Sequence, residues 1–261
     1  MKTTHKLASA ALLAAVGVAL AIPSATKAAT SPNQTGKGNI EFQTDTSTNP
    51  SNLPPGESSG EELTEPTQNP DPSELKIVSV TDMDFDKHDI LANDSEKTYK
   101  AVPFTDGTQT VAHFVRFRDI RANVAENFYT IDVALTKQFT STGTLTSELT
   151  GAKLTYNNIS LVTGTNSATL PTQAAVSSVT DLEFAEDGSK SQTILTNKQS
   201  GKGFGVFELM FDTNENAKAG KDVYDGVTLK VPGTNVLKST NYEAEITWTI
   251  ATTPEVEEPE A

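Results

Sequence analysis

The stretch Asn241-Tyr242-Glu243-Ala244-Glu245-Ile246-Thr247-Trp248-Thr249-Ile250 fits one secondary structure. Apolar residues occupy every second position from Tyr242 to Ile250, and Glu or Thr fills each gap. Successive side chains of a strand point to opposite faces, so one face is wholly apolar and carries the chain's only tryptophan, while the other is wholly polar. That is the pattern of an antiparallel strand with one side on a core. Burying an indole of about 150–250 Å² is worth roughly 4–6 kcal/mol at most. The competing reading turns Trp248 to solvent to stack on sugar rings. An unbroken apolar row opposes it, because such a face is usually interior.

A second stretch repeats the design. In Tyr129-Thr130-Ile131-Asp132-Val133-Ala134-Leu135-Thr136, the residues Tyr129, Ile131, Val133 and Leu135 line one face and Thr130, Asp132 and Thr136 the other. From Glu74 onward, short alternating runs recur between turn signals. Strands are expected near Leu75–Val80, Val111–Arg118, Tyr129–Thr136, Ala152–Tyr156, Ile159–Leu161, Val176–Val179, Gln192–Leu195, Phe204–Phe211, Val227–Val231 and Tyr242–Ile250. Helix is limited to single turns at Ile120–Ala125 and Glu215–Ala219, because no 3.6-residue apolar period persists. The fold class read from this pattern is all-β, an antiparallel β-sandwich of Greek-key, Ig-like or jelly-roll type with little helix.

The two ends lie outside that domain. Residues 1–28 have a basic start (Lys2, Lys6), an apolar run from Leu7 to Ile22 and small residues before Ala29, which reads as a secretory signal peptide. The mature chain is expected to contain no transmembrane span. Residues 29–73 hold seven of the thirteen prolines amid Ser, Thr, Asn and Glu. Such a segment buries too little apolar surface to offset about 1–2 kcal/mol of backbone entropy per residue, so a disordered excursion is expected. Ile40 and Phe42 are the exception and alternate correctly for a short opening strand. The β-domain then runs over 74–254, and 255–261 is an acidic tail.

Charge restricts the partners. Loss of Lys2, Lys6 and Lys27 with the leader takes the formal charge from −14 to −17. A chain this acidic does not bind nucleic acid by neutralising phosphates. Repulsion from an anionic surface acts beyond a Debye length of about 8 Å, so any contact with one has to be short-range. The absence of cysteine removes disulfides and thiolate metal sites and leaves the hydrophobic core to hold the fold. Together with the lack of an apolar, basic carboxy terminus, it leads to the expectation of non-covalent retention.

The triplets Tyr129-Thr130-Ile131 and Trp248-Thr249-Ile250, the latter preceded by Tyr242, resemble the paired signatures of the WxL domain of Gram-positive cell-surface proteins. Gly38-Asn39-Ile40-Glu41-Phe42 is similar to the family's opening motif, Leu75 to Val80 leading into Asp84-Phe85 to its entering strand, and Gly203-Phe204-Gly205-Val206-Phe207 to its glycine-rich strand. Tyr129 replaces the first tryptophan, isoleucine replaces both leucines, and Asp86 stands where glycine is usual. The resemblance implies a secreted protein held non-covalently at the wall, with peptidoglycan as its anchor. It also implies association with other WxL-type or membrane-anchored surface proteins. Two rival functions remain: an assembly subunit that docks on a membrane-anchored partner through a sheet edge, and a wall-glycan hydrolase.

Other motifs carry less. Asp82, Asp84 and Asp86 have calcium-loop spacing, but Lys87 and Asn93 stand where such a loop needs glycine and glutamate, so a solvated acidic turn is expected and no metal. Asp212 to Asn216 fails likewise, with Ala217 and Val223 at those positions. Catalysis lacks its usual parts, with His88 and His113 the only histidines beyond the leader and no G-x-S-x-G turn. His113 is expected to be a strand residue rather than a base. Gly201-Lys202-Gly203-Phe204-Gly205 leads into a strand rather than a helix, which suits a bend better than a phosphate loop. No enzyme activity and no cofactor are expected.

Overall fold

A computed structural model describes residues 39–41, 48–90, 95–122 and 127–253. Residues 1–28, expected from the sequence to be a signal peptide, together with Gly38, Phe42, Asn93, Ala125 and residues 255–261, lie outside them. The strands all belong to one compact unit, Gln43–Ala261. In the first sheet the order is β1 (Leu75–Val80), β5 (His113–Asp119), β11 (Gly205–Phe211), β8 (Ile159–Val162). A second sheet has the order β10 (Gln192–Asn197), β6 (Tyr129–Ser141), β13 (Tyr242–Thr252), and a third β2 (Lys97–Lys100), β12 (Val227–Val231), β7 (Lys153–Tyr156), β9 (Val179–Glu183). A small hairpin pairs β3 (Phe104–Asp106) with β4 (Gln109–Val111). Every ladder is antiparallel. Among the described residues the helices are α1 (Asn214–Ala219) and a 3-10 turn at Gln173–Ala175. The chain is therefore the all-β sandwich that its alternation predicts.

One apolar cluster joins the three larger sheets. It takes Val115, Phe117 and Leu209 from the first, Tyr129, Ile131, Val133 and Leu195 from the second, and Leu154, Leu182 and Leu229 from the third. Departures from the expected strands have local causes. The run Val111–Arg118 is broken at Ala112, whose N–H leaves the ladder to donate to Asn214 Oδ1 at 3.1 Å. The strand expected at Val176–Val179 lies instead at Val179–Glu183, where Asp181 at φ 48° spoils the alternation. The short edge strands β2 and β3 were not expected, because Lys97-Thr98-Tyr99-Lys100 has one apolar residue and Phe104–Asp106 spans three residues. Asn39–Glu41 form no strand, and Ile40 is exposed.

The proline-rich segment differs most from expectation. Residues 48–73 contain no strand or helix, yet they are laid along the outer face of the first sheet rather than left disordered. Prolines cannot donate main-chain hydrogen bonds but do accept them, so such a segment is best held by donors from outside it. Three buried cations supply them. Lys76 Nζ donates to Asn49 Oδ1 and to the Asn69 and Asp71 carbonyls, at 2.8, 2.8 and 2.5 Å. Arg118 donates to the Thr48 carbonyl at 2.8 Å and to the Ser73 carbonyl at 3.0 and 3.3 Å. Arg116 donates to Asn52 Oδ1 at 2.6 Å, to the Leu53 carbonyl, and to Glu208 at 3.0 Å. Within the segment, Asn52 ties its two limbs by exchanging bonds with Leu63, and Leu63 packs on Val111 and Phe114.

Burial makes this row consequential. Arg116 is 1% exposed and Glu208 5%. Withdrawal from water pushes the Glu208 carboxyl above its ordinary range, against the pull of Arg116. Desolvation, aided by Arg118, lowers the Lys76 ammonium. Arg116→Met removes the partner of a buried carboxylate and two anchors of the segment together, so it is expected to cost about 3–5 kcal/mol in urea unfolding. Proteolysis in residues 48–73 should precede global unfolding in this variant. A stable variant with a resistant segment would show that the cations do not hold it.

Candidate functional site

The two signature triplets meet. β13 pairs with β6 so that Ile250 lies opposite Ile131, Thr249 opposite Asp132 and Trp248 opposite Val133. On the other side of β6, Leu195 of β10 also faces Ile131, giving an unbroken aliphatic rung across the sheet. The aromatics are offset along the ladder. Tyr129 stands opposite Thr252 rather than Trp248, so each ring fills a separate part of the core.

Tyr129 is fully buried, edge-on to Phe117 with centroids 5.8 Å apart. Its hydroxyl donates to the Gly203 carbonyl at 3.4 Å. Burial pushes the phenol well above its ordinary pKa. Gly203, at φ +93°, is needed there: a Cβ would stand 2.2 Å from Asn197 Nδ2 and 2.9 Å from Tyr129 Cε1. The glycine-rich run at 201–205 thus serves as a bend over a buried ring. The tyrosine at the first signature position keeps the core role that the strand pattern assigns to it.

Trp248 faces the core in the expected alternation, with Tyr242, Ala244, Ile246 and Ile250 on its side and Glu243, Glu245, Thr247 and Thr249 exposed opposite. Its ring stacks on Phe211 at 6.0 Å and meets Tyr156 edge-on at 5.5 Å. The indole is half-buried, not sealed, because β13 is the end strand of its sheet. Its Nε1–H is buried without a hydrogen-bond partner, as is the Tyr156 hydroxyl. Thr130 is half-buried on the opposite face. The apolar signature residues Tyr129, Ile131, Tyr242, Trp248 and Ile250 are therefore packing residues joined through one ladder, whereas Thr249 is exposed. Their aromatic partners Phe211 and Tyr156 were not legible in advance, since nothing local in either strand indicates which ring it meets.

The remaining candidates are occupied by structural tasks. His113 is 2% exposed. Its Nε2 donates to the Val102 carbonyl at 2.8 Å, which leaves Nδ1 to accept from Thr81 Oγ1 at 3.1 Å. Desolvation lowers its pKa to about 4. Asp82, Asp84 and Asp86 are exposed. Asp86 pairs with Lys221 at 2.7 Å, which holds its carboxyl below the ordinary range, and Asp84 accepts the Asp86 N–H. Asp212 is buried and accepts from Asn216 Nδ2 and the Asp225 N–H, while Thr213 caps α1. Among the described residues, no three His, Cys, Asp or Glu side chains are grouped to hold a metal. A cleft of about 470 Å³ lies between the proline-rich segment, the β3–β4 hairpin and α1, with Glu57, Glu61 and Lys218 on its walls. All three are exposed, so nothing there withdraws a carboxyl from water.

The model of one family, WxL domain surface cell wall-binding, matches residues 29–254. The chain belongs to that family. No curated protein and no solved structure was found to match it. The WxL match takes in both signature strands, the cation-bound segment and the glycine bend, so the wall-binding module makes up nearly all of the chain. The WxL family is a wall-binding domain and not an enzyme family, and it puts the protein at the cell surface, attached to the wall. No helix among the described residues is long and apolar enough to cross a membrane.

Two measurements test the site as built. Trp248→Ala is expected to lower stability, by less than the ~3–5 kcal/mol of a fully buried tryptophan because the ring is half-buried. Trp248→Phe keeps the stack on Phe211 and deletes a donor without an acceptor, so it should cost under about 1.5 kcal/mol. The second concerns pH. His113 has a folded pKa of about 4 against 6.5 unfolded, so between those values the unfolded chain binds more protons and stability falls as pH falls. His113→Gln should flatten the melting temperature across that window, and an unchanged slope would remove His113 as its source.

Proposed function

We propose that this protein attaches to the Gram-positive cell wall by binding peptidoglycan non-covalently, as a secreted surface protein. The family match over residues 29–254 carries the reading, because what matches is the whole β-unit rather than an accessory to another domain. The signature supports attachment indirectly. It holds the sandwich together, and the contact with the wall is left to surfaces that the sandwich displays. Those surfaces belong to an acidic chain, so contact with an anionic wall is made at short range, against a repulsion that salt screens.

The test is co-sedimentation of the mature protein with purified sacculi stripped of protein and anionic polymers. Retention in the pellet is expected, and raising salt from about 0.15 M to about 0.5 M should not release it. Binding only to unstripped walls would assign the attachment to a wall-bound protein or an anionic polymer instead of peptidoglycan. Release of sugar or peptide fragments would turn the reading toward hydrolysis.

A further inference from the structure

Among the described residues, β13 closes its sheet and is hydrogen-bonded to a strand on one side only, while β1 approaches it without pairing. Proteins blunt such edges with charges, prolines or bulges, and usually keep them short. This edge is eleven residues long. Its defences are confined to the beginning: Glu243, Glu245 and both register shifts against β6 precede Ile246. From Ile246 to Thr252 the ladder is regular, and the run contains no charge, proline or glycine. Ile246, Trp248 and Ile250 are half-buried on one face, while Thr247, Thr249 and Ala251 are exposed on the other. An uncharged, alternating seven-residue edge is a template for another strand.

We propose that a second copy of the chain occupies it, β13 against β13, antiparallel about a two-fold axis through Thr249. Thr249 is the midpoint of the regular run, and a two-fold there closes the assembly at a dimer instead of leaving a new open edge. The register is self-complementary. Trp248 falls opposite the partner copy's equivalent of Ile250, an aromatic and a β-branched residue of the kind that stabilises paired strands. Thr247 falls opposite Ala251, Thr249 opposite its own equivalent, and Glu245 opposite Thr253, so within residues 245–253 no two carboxylates face each other. Because opposed residues in an antiparallel pair share a face, the two core faces stay on one side. Two three-stranded sheets then merge into a six-stranded one, and the open flank of the indole is covered. The pairing does not depend on wall binding.

Sedimentation velocity on the mature full chain, up to about 0.1 mM, should show a dimer. Thr249→Lys sets two ammonium groups face to face at the axis and should weaken the dimer at least about tenfold, with the melting temperature of the dilute monomer unchanged. Thr247→Lys combined with Ala251→Glu sets opposite charges across the axis and should keep the dimer. Because the chain has no cysteine, Thr249→Cys should cross-link to itself on mild oxidation and Thr247→Cys should not. A wild type that stays monomeric throughout overturns the proposal, as does a dimer indifferent to Thr249→Lys. Monomers whose Ile246–Thr252 amides are all slow to exchange would assign the edge to a segment of the same chain, which also overturns it.

Discussion

The structure depends on the ladder between β6 and β13. These strands are more than a hundred residues apart in the chain, and each is amphipathic with a period of two. Each therefore has one face that must leave water. Laying them side by side makes those faces continuous, and the sheet so formed closes over Phe117, Phe211 and Tyr156 of the other layers. Register follows from the same requirement, since a slip by one residue would carry Trp248 and Ile131 to the wet face. The family signature, read physically, is a pair of strands that specify one another.

The first sheet solves a different problem with different means. Its outer face would be an ordinary solvated surface but for the row Lys76, Arg116 and Arg118, which is buried under residues 48–73. A segment rich in proline forms no ladder of its own, and its carbonyls remain available. Guanidinium and ammonium groups fit that demand because each donates several bonds without needing one in return. One carboxylate, Glu208, offsets part of the buried charge, while most of the satisfaction comes from neutral carbonyls. Taking a cation from the row therefore strands oxygen atoms of the segment, and in the case of Arg116 the Glu208 carboxylate as well.

Strand positions were legible in the sequence wherever a period of two ran without interruption. Tyr129 onward, Val227–Val231 and Tyr242 onward are such runs, and β12 has the expected bounds; β1 has them too, although its period shifts at an irregularity between Ile77 and Ser79. Legibility failed where a side chain took over a main-chain partner, as Asn214 does at Ala112, or where a left-handed residue such as Asp181 broke the alternation. The ordering of residues 48–73 was hidden for another reason. Composition describes what a segment contributes by itself, whereas this one is ordered by donors that lie far from it in sequence. A trace was present in Phe114-Val115-Arg116-Phe117-Arg118, where cations alternate with core residues beside a buried Phe114. Such cations need acceptors, and the proline-rich carbonyls are those acceptors.

Everything else in the fold rests on the second signature strand lying with its indole against the core. With one tryptophan in the chain, intrinsic fluorescence reports on that ring alone. The native emission should be blue-shifted from that of the urea-unfolded chain, and acrylamide quenching should lie well below the unfolded value. A native protein whose emission is as red and as readily quenched as the unfolded chain would place Trp248 in solvent and overturn this packing.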